Sequence, residues 1–265
     1  MSTKRMAKNG IKSYVICTSP RSGSTMLCEL LAATGIAGVP NSHFHKPSID
    51  AWLKTYRLDR TTFATREEAL KAIFAAAKRR GSGDTAVFGL RLQHDSLSFF
   101  LDQLQVLHPS RHSDQERFDA EFGPTLFLYL KRDDPLDQAI SRLLAEQTGL
   151  WHRKADGTDL ERTSPTRPPR YDFATLNHYR QIAVAQNARW CQWFDDQAIA
   201  PLTLTYDQLA QHPNTVVSEV LTHLGLNGAR AASIEHQTAK LANETNRAWR
   251  DRFERDAKAG QASQH

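Results

Sequence analysis

The sequence predicts an α/β protein: a mostly parallel sheet of the phosphate-loop (P-loop) type, flanked by helices on both faces, in one domain covering residues 1–265. Three observations carry this reading. Short apolar runs of β type alternate with helical segments, the pattern that gives a parallel sheet with crossover helices. The first run, Tyr14-Val15-Ile16-Cys17, passes directly into the small, hydroxyl-rich turn Thr18-Ser19-Pro20-Arg21-Ser22-Gly23-Ser24-Thr25 and then into a helical pattern. In that strand–turn–helix order, backbone N–H groups at a helix start can cradle a phosphate. No internal repeat or low-complexity tract interrupts the alternation.

Taken in order, residues 14–18 read as the first strand. The helix after the turn covers residues 25–34, with Leu27, Leu30 and Leu31 on one face and Gly35 and Gly38 ending it. Residues 66–80 form an Ala-rich helix closed by Gly81 and Gly83. Residues 86–92 are a buried strand, and Asp95 caps a helix running to residue 107. Residues 125–131 (TLFLYLK) are the clearest buried strand. Asp134-Pro135 then opens a helix, as a cap followed by a first-position proline, that continues to residue 147. Residues 151–170, with Gly157, Pro165, Pro168 and Pro169, break the pattern. Such a long loop is either a lid shaping an acceptor pocket or a linker. A helix over residues 173–196 follows, whose Trp190 and Trp193 read as core. A short strand at residues 201–206 and helices at 216–224 and 241–256 complete the chain. Residues 1–12 and 257–265 are expected as flexible ends.

Composition narrows the function. No apolar run approaches the roughly 20 residues of a membrane-spanning helix, and the basic start of the chain has no apolar core of a signal peptide. The scattered, odd-numbered Cys17, Cys28 and Cys191 have no metal-type spacing and suit reduced thiols in the cytoplasm. The net charge of +5 suits an anionic ligand. Lys and Arg are spread along the chain and do not alternate with aromatic residues, which argues against a nucleic-acid partner. No acidic cluster is arranged for a metal, and Asp133 and Asp134 read as helix capping.

The first turn is not a standard nucleoside-triphosphate loop. In G-x-x-x-x-G-K-[ST] a lysine follows the last glycine; here that position is Ser24, the first glycine position is Thr18, and the cation is Arg21. Pro20, Arg21, Ser22, Gly23, Ser24 and Thr25 can hold an anion, without the lysine that steadies ATP or GTP phosphates. At another strand end stands Arg132, with Ser141 nine residues later on the next helix. A guanidinium fork and a hydroxyl can converge there on a second anion. Taken alone, an arginine at a strand end reads more readily as a surface ion-pair partner. Two anion cradles at the carboxyl ends of one sheet suggest a ligand with phosphates at both ends. Arg91, a charge within an apolar run, either faces that site or snorkels to the surface.

These segments resemble a known family. TSPRSGSTML is similar to the 5′-phosphosulfate loop of sulfotransferases, and KRDDPLDQAIS to their 3′-phosphate motif, with Arg132 and Ser141 as the matching residues. The closer likeness is to the bacterial trehalose 2-sulfotransferase-like (Stf0-type) branch, through S-x-R-S-G-S-T, through Thr34-Gly35-Ile36-Ala37-Gly38-Val39-Pro40, and through the Q-A-x-S ending at Ser141. Gln147, Thr148 and Trp151 match its Gln-Thr pair before a Trp, and Trp249, Arg252 and Phe253 match its W-x-x-R-[YF] element. The resemblance implies 3′-phosphoadenosine 5′-phosphosulfate as donor, no metal, and a carbohydrate or glycolipid hydroxyl as acceptor. It also implies Arg252 as a further phosphate ligand, and members of the branch can dimerise. In that branch a glutamate shortly after the T-G-x-A-G-x-P segment is the general base. Here Ser42 takes its place, so the base is expected at His43, then His45, with His94 as a further candidate. Arg21 and backbone donors would neutralise charge developing on the bridging oxygen, and Trp151 could stack on a sugar. Two rival readings are a small-molecule P-loop kinase and a non-enzymatic module for anionic nucleotides or nucleic acid.

Overall fold

The computed structural model describes residues 10–153, 159–162, 168–234 and 244–262. The chain runs β1 (Ser13–Thr18), α1 (Ser24–Ala33), α2 (Ile49–Tyr56), α3 (Arg66–Ser82), β2 (Phe88–Gln93), α4 (His94–Leu107), α5 (Asp114–Phe122) and β3 (Thr125–Lys131). It continues through α6 (Pro135–Thr148), β4 (Leu150–Arg153), β5 (Asp159–Arg162), α7 (Phe173–Asp196), β6 (Leu202–Thr205), α8 (Tyr206–Gln211), α9 (Pro213–His223) and α10 (Glu244–Ala262).

The main sheet has the order β2-β1-β3-β6 and is parallel throughout, as expected for the fold class. Its register aligns the carboxyl ends. Thr18 lies opposite Gln93 on one side and Leu130 on the other, and Lys131 lies opposite Thr205. Ser19, His94, Arg132 and Tyr206 therefore each leave the sheet at the same edge. β1 is central, with β2 on one side and β3 on the other. The winding reverses there, and ligands of open α/β sheets bind at such a switch point.

Alternation along β1 builds two cores. Val15 and Cys17 pack with Phe74, Phe100, Phe118 and Trp190 on one face. Tyr14 and Ile16 pack with Leu27, Leu31, Val217 and Leu221 on the other. Burial on both faces explains why these strands read as continuous apolar runs rather than alternating ones. A third cluster joins Leu136, Ile140 and Leu143 of α6 to Leu176 of α7 and to Trp249 and Phe253 of α10. Each such large side chain contributes about 1.5–3 kcal/mol when fully buried. This cluster fixes α6, which carries part of the site.

Several elements differ from the sequence reading. α2, α5 and α8 were not expected; their N-caps are Ser48, Ser113 and Thr205, each accepting a backbone N–H. The expected loop at residues 151–170 contains an antiparallel hairpin, β4 with β5, pairing Leu150 with Arg162. Residues 154–158 and 163–167 of it lie outside the described residues, as do residues 1–9 of the expected flexible start. Residues 257–262, expected as part of a flexible end, continue α10. The expected start of that helix at residue 241 is outside the described residues. No described helix is long and apolar enough to cross a membrane.

Candidate active site

The phosphate loop starts where β1 ends. Thr18 Oγ1 donates to the Leu130 carbonyl at 2.9 Å and is hydrogen-bonded to Ser22 Oγ, so the loop root is tied to β3 and folded back on itself. Trp190, fully buried, donates its indole N–H to the Thr18 carbonyl at 2.9 Å. Arg21 (φ 66°) and Gly23 (φ 86°) both occupy the left-handed region. For a residue with a Cβ that conformation costs about 1–2 kcal/mol, and such strain concentrates at functional sites. Gly23 caps α1 without a side-chain hydrogen bond. The first-turn N–H groups have no intrahelical acceptor and carry the positive end of the helix dipole.

α6 leans on this loop. Gln138, 3% exposed, donates through Nε2 to Ser19 Oγ at 2.9 Å and to the Pro20 carbonyl at 2.6 Å. One turn on, Ser141 Oγ accepts from Arg21 Nε at 3.0 Å. Arg21 Nη1 donates to the Trp151 carbonyl at 2.6 Å, and its guanidinium lies 5.7 Å from the Trp151 ring. The hydroxyl expected in the second cradle thus touches the cation expected in the first.

Arg132 leaves β3 at the same edge of the sheet. It is 8% exposed and stacks at 4.5 Å on the ring of Tyr206, the first residue after β6. That ring also covers Gly23: a Cβ there would stand 2.6 Å from Tyr206 Cδ2. One aromatic ring therefore joins the two cradles, and only glycine fits beneath it. Asp137 Oδ2 lies 3.8 Å from Arg132, but Arg250 of α10 engages that carboxylate more closely, at 2.7 Å from Oδ1, and also binds Asp134. Burial alone would raise the Asp134 carboxyl; Arg250 and the N–H groups of Leu136 and Asp137 outweigh it and hold the group below its ordinary value.

Two of the expected residues have other partners here. His43 is 5% exposed, its Nε2 lies 3.1 Å from the Val39 carbonyl, and its ring packs against Phe88. Burial, opposed by the Val39 contact and helped by Arg80 and Arg91, pushes its pKa down to about 4. Arg252 stacks on Tyr171 at 4.2 Å and pairs with Asp256 at 3.8 Å. The α10 arginine that meets the start of α6 is Arg250, through Asp134 and Asp137. His45 is exposed. Arg91, left open by the sequence, faces the site: Nε donates to Ser42 Oγ and Nη1 to Thr25 Oγ1, both at 2.8 Å.

Gln138, Tyr206 and Arg250 were not singled out from the sequence. Gln138 had a signal, being the glutamine of Q-A-x-S, and Tyr206 another, being an aromatic residue at a strand end. Among the described residues no group of three or more His, Cys, Asp or Glu is placed to hold a metal ion.

Comparison with known proteins bears on this arrangement. The chain is 27% identical to a trehalose 2-sulfotransferase of Mycobacterium tuberculosis, over 93% of this chain and 96% of that protein. It is 26% identical to a trehalose 2-sulfotransferase of Mycolicibacterium smegmatis, over 92% and 95%. Two solved structures overlap it loosely. The sulfotransferase domain of the Synechococcus PCC 7002 olefin synthase has a TM-score of 0.41 at 13% identity, covering 86% of this chain and 78% of that one. A sulfotransferase from Alicyclobacillus acidocaldarius has a TM-score of 0.43 at 14% identity, covering 92% and 91%. Residues 13–256 match the sequence profile described as Stf0 sulphotransferase, a span that takes in both cradles and every strand of the main sheet. The chain is therefore a sulfotransferase and belongs to the Stf0 family.

Proposed function

We propose that this sulfotransferase takes the sulfuryl group of 3′-phosphoadenosine 5′-phosphosulfate and places it on a hydroxyl of a carbohydrate or glycolipid. The observation that carries this reading is the Arg21–Ser141 contact, which draws two separate sequence motifs into one cationic crevice. The donor set fits such a nucleotide. Arg21, the hydroxyls of Ser24 and Thr25, and the N–H groups opening α1 suit the 5′-phosphosulfate, while the Ser22 hydroxyl braces the loop against Thr18. Arg132 and Ser141 suit the 3′-phosphate. Arg250 occupies Asp137 more closely than Arg132 does, which leaves the Arg132 fork to an incoming anion. The residues supply fixed positive charge where the bridging oxygen gains electrons, an electrostatic contribution that needs no reorganisation during reaction.

The curated relatives are named for trehalose, so a disaccharide hydroxyl is the first acceptor to test. The cytoplasm suits three free cysteines, one of them exposed. Thermal unfolding separates this reading from its rivals. Adenosine 3′,5′-bisphosphate at a hundredfold excess over its Kd, without metal, should stabilise the fold by about 2.7 kcal/mol. Stabilisation by Mg-ATP instead would favour a kinase. Polyanion binding with a steep salt dependence and no nucleotide preference would favour a non-enzymatic module.

A further inference from the structure

We infer that His94 is the general base that takes the proton of the acceptor hydroxyl; this rests on the sulfuryl-transfer reading above. The register of β1 and β2 pairs Gln93 with Thr18, so His94 is the first residue beyond the sheet on the neighbouring strand, level with Ser19 at the loop root. Trp190 holds it there. The same indole that donates to the Thr18 carbonyl meets the imidazole edge-on, with ring centres 5.4 Å apart and planes at 89°. His94 is partly exposed, while Trp190, which it touches, is fully buried.

The other proton acceptors near the crevice are placed less well. His43 is sealed under the Val39 carbonyl. Ser42, where the resembled branch carries its glutamate, is a hydroxyl already accepting from Arg91. Glu29 lies one turn along α1 from Thr25; burial raises its pKa and Arg91 lowers it. It is the nearest rival.

The surroundings of His94 fit a base. Burial first, and Arg189 of α7 second, hold the imidazole below its ordinary pKa, and Asp95 of α4 opposes them. The ring is neutral near pH 7 and able to accept a proton. Gln186 of α7 donates to both Asp95 oxygens at 2.9 and 3.0 Å, which fixes a carboxylate beside the imidazolium that would form. In the step, an acceptor oxygen lone pair forms the bond to sulfur. The bond from sulfur to the bridging oxygen breaks, and its electron pair leaves with the 5′-phosphate. The hydroxyl proton passes to an imidazole nitrogen of His94 and then to water.

The test follows turnover of radiolabelled donor, with trehalose or, failing that, water as acceptor. His94→Gln should lower kcat about 10²–10⁴-fold, the usual worth of a general base. Adenosine 3′,5′-bisphosphate affinity should stay within about twofold of wild type, because no donor-binding group is removed. Wild-type kcat/KM should fall with acid as one proton is taken up below the ordinary histidine range, and His94→Gln should lose that limb. Wild-type protein that fails to bind the bisphosphate overturns the donor reading itself. Wild-type protein that binds it and turns over, while His94→Gln keeps the full rate, overturns the base assignment alone. Loss of the limb in Glu29→Gln rather than in His94→Gln transfers the role to Glu29. Should His94→Gln not fold, the wild-type profile decides: a kcat/KM that stays flat from neutral pH down to the onset of acid unfolding excludes such a base.

Discussion

Gly23→Ala tests whether one aromatic ring couples the two cradles. The glycine sits at φ 86°, and an alanine methyl there would stand 2.6 Å from Tyr206 Cδ2 and 3.2 Å from Cε2. Carbon atoms in contact settle at about 3.5–4.0 Å, so the ring must retreat by roughly 1 Å. It carries Arg132 on its face at 4.5 Å, so the guanidinium moves with it. The left-handed backbone costs about 1–2 kcal/mol for an L-residue, and overpacking a buried contact typically costs about 1–3 kcal/mol more. The expected loss of stability is about 2–5 kcal/mol by urea unfolding, those two costs together. Bisphosphate affinity, read by calorimetric titration, should fall at least about tenfold, equivalent to about 1.4 kcal/mol. The decisive measurement is a cycle with Tyr206→Leu. With the ring removed, the alanine should cost only its backbone strain, giving a coupling of about 1–3 kcal/mol. Equal cost of Gly23→Ala in both backgrounds would refute the wedge and the coupling drawn from it.

Other expectations follow from the same geometry. Arg21→Ala should abolish transfer and weaken donor binding; a variant that titrates with the bisphosphate like wild type would remove Arg21 from the site. Arg132→Ala should cost about 1.5–3 kcal/mol in bisphosphate affinity, the range of a hydrogen bond to a charged group, as read by calorimetry. Arg252→Ala should leave that affinity unchanged, because its partners are Tyr171 and Asp256. His43→Gln should keep the rate but alter the pH dependence of stability. The native ring resists protonation down to about pH 4, whereas the unfolded chain binds a proton near pH 6.5. Between those values the unfolded state holds more protons, so stability falls as pH falls, by roughly 3 kcal/mol in all. Urea unfolding of both proteins at about pH 7 and about pH 4.5 should show a flatter dependence in the variant, since glutamine does not titrate.

The parts legible in the sequence were those whose signal is local. β1 and β3 are buried on both faces and read as unbroken apolar runs, and the turn between β1 and α1 carries its own glycine and hydroxyls. α5 was missed because, apart from Phe118 and Phe122, it holds six polar residues and Ala120, too little apolar surface to show a helical face. Those two, one turn apart and both buried, were the available sign. The hairpin β4–β5 was hidden by its charged residues and the prolines after it. The surroundings of His43 and Arg252 are set by tertiary contacts. A loop histidine gives no periodicity from which burial can be read, and its sealing depends on Phe88 and Gly81, far along the chain. Arg250 and Arg252 lie two apart on one helix, which turns them about 200° from each other. A motif letter could not say which side of α10 faces α6.

α6 acts as a measuring rod between the two arginines. Asp134 caps it beside Arg132, and Ser141 marks its far graduation against Arg21. Seven residues at 1.5 Å each set that interval at roughly 10 Å. Sequence drift on the rod's outer flank leaves the interval alone, but a change of length does not: one residue inserted between Gln138 and Ser141 would swing the serine about 100° off its mark. Insertions and deletions, more than substitutions, are what this segment is built to refuse.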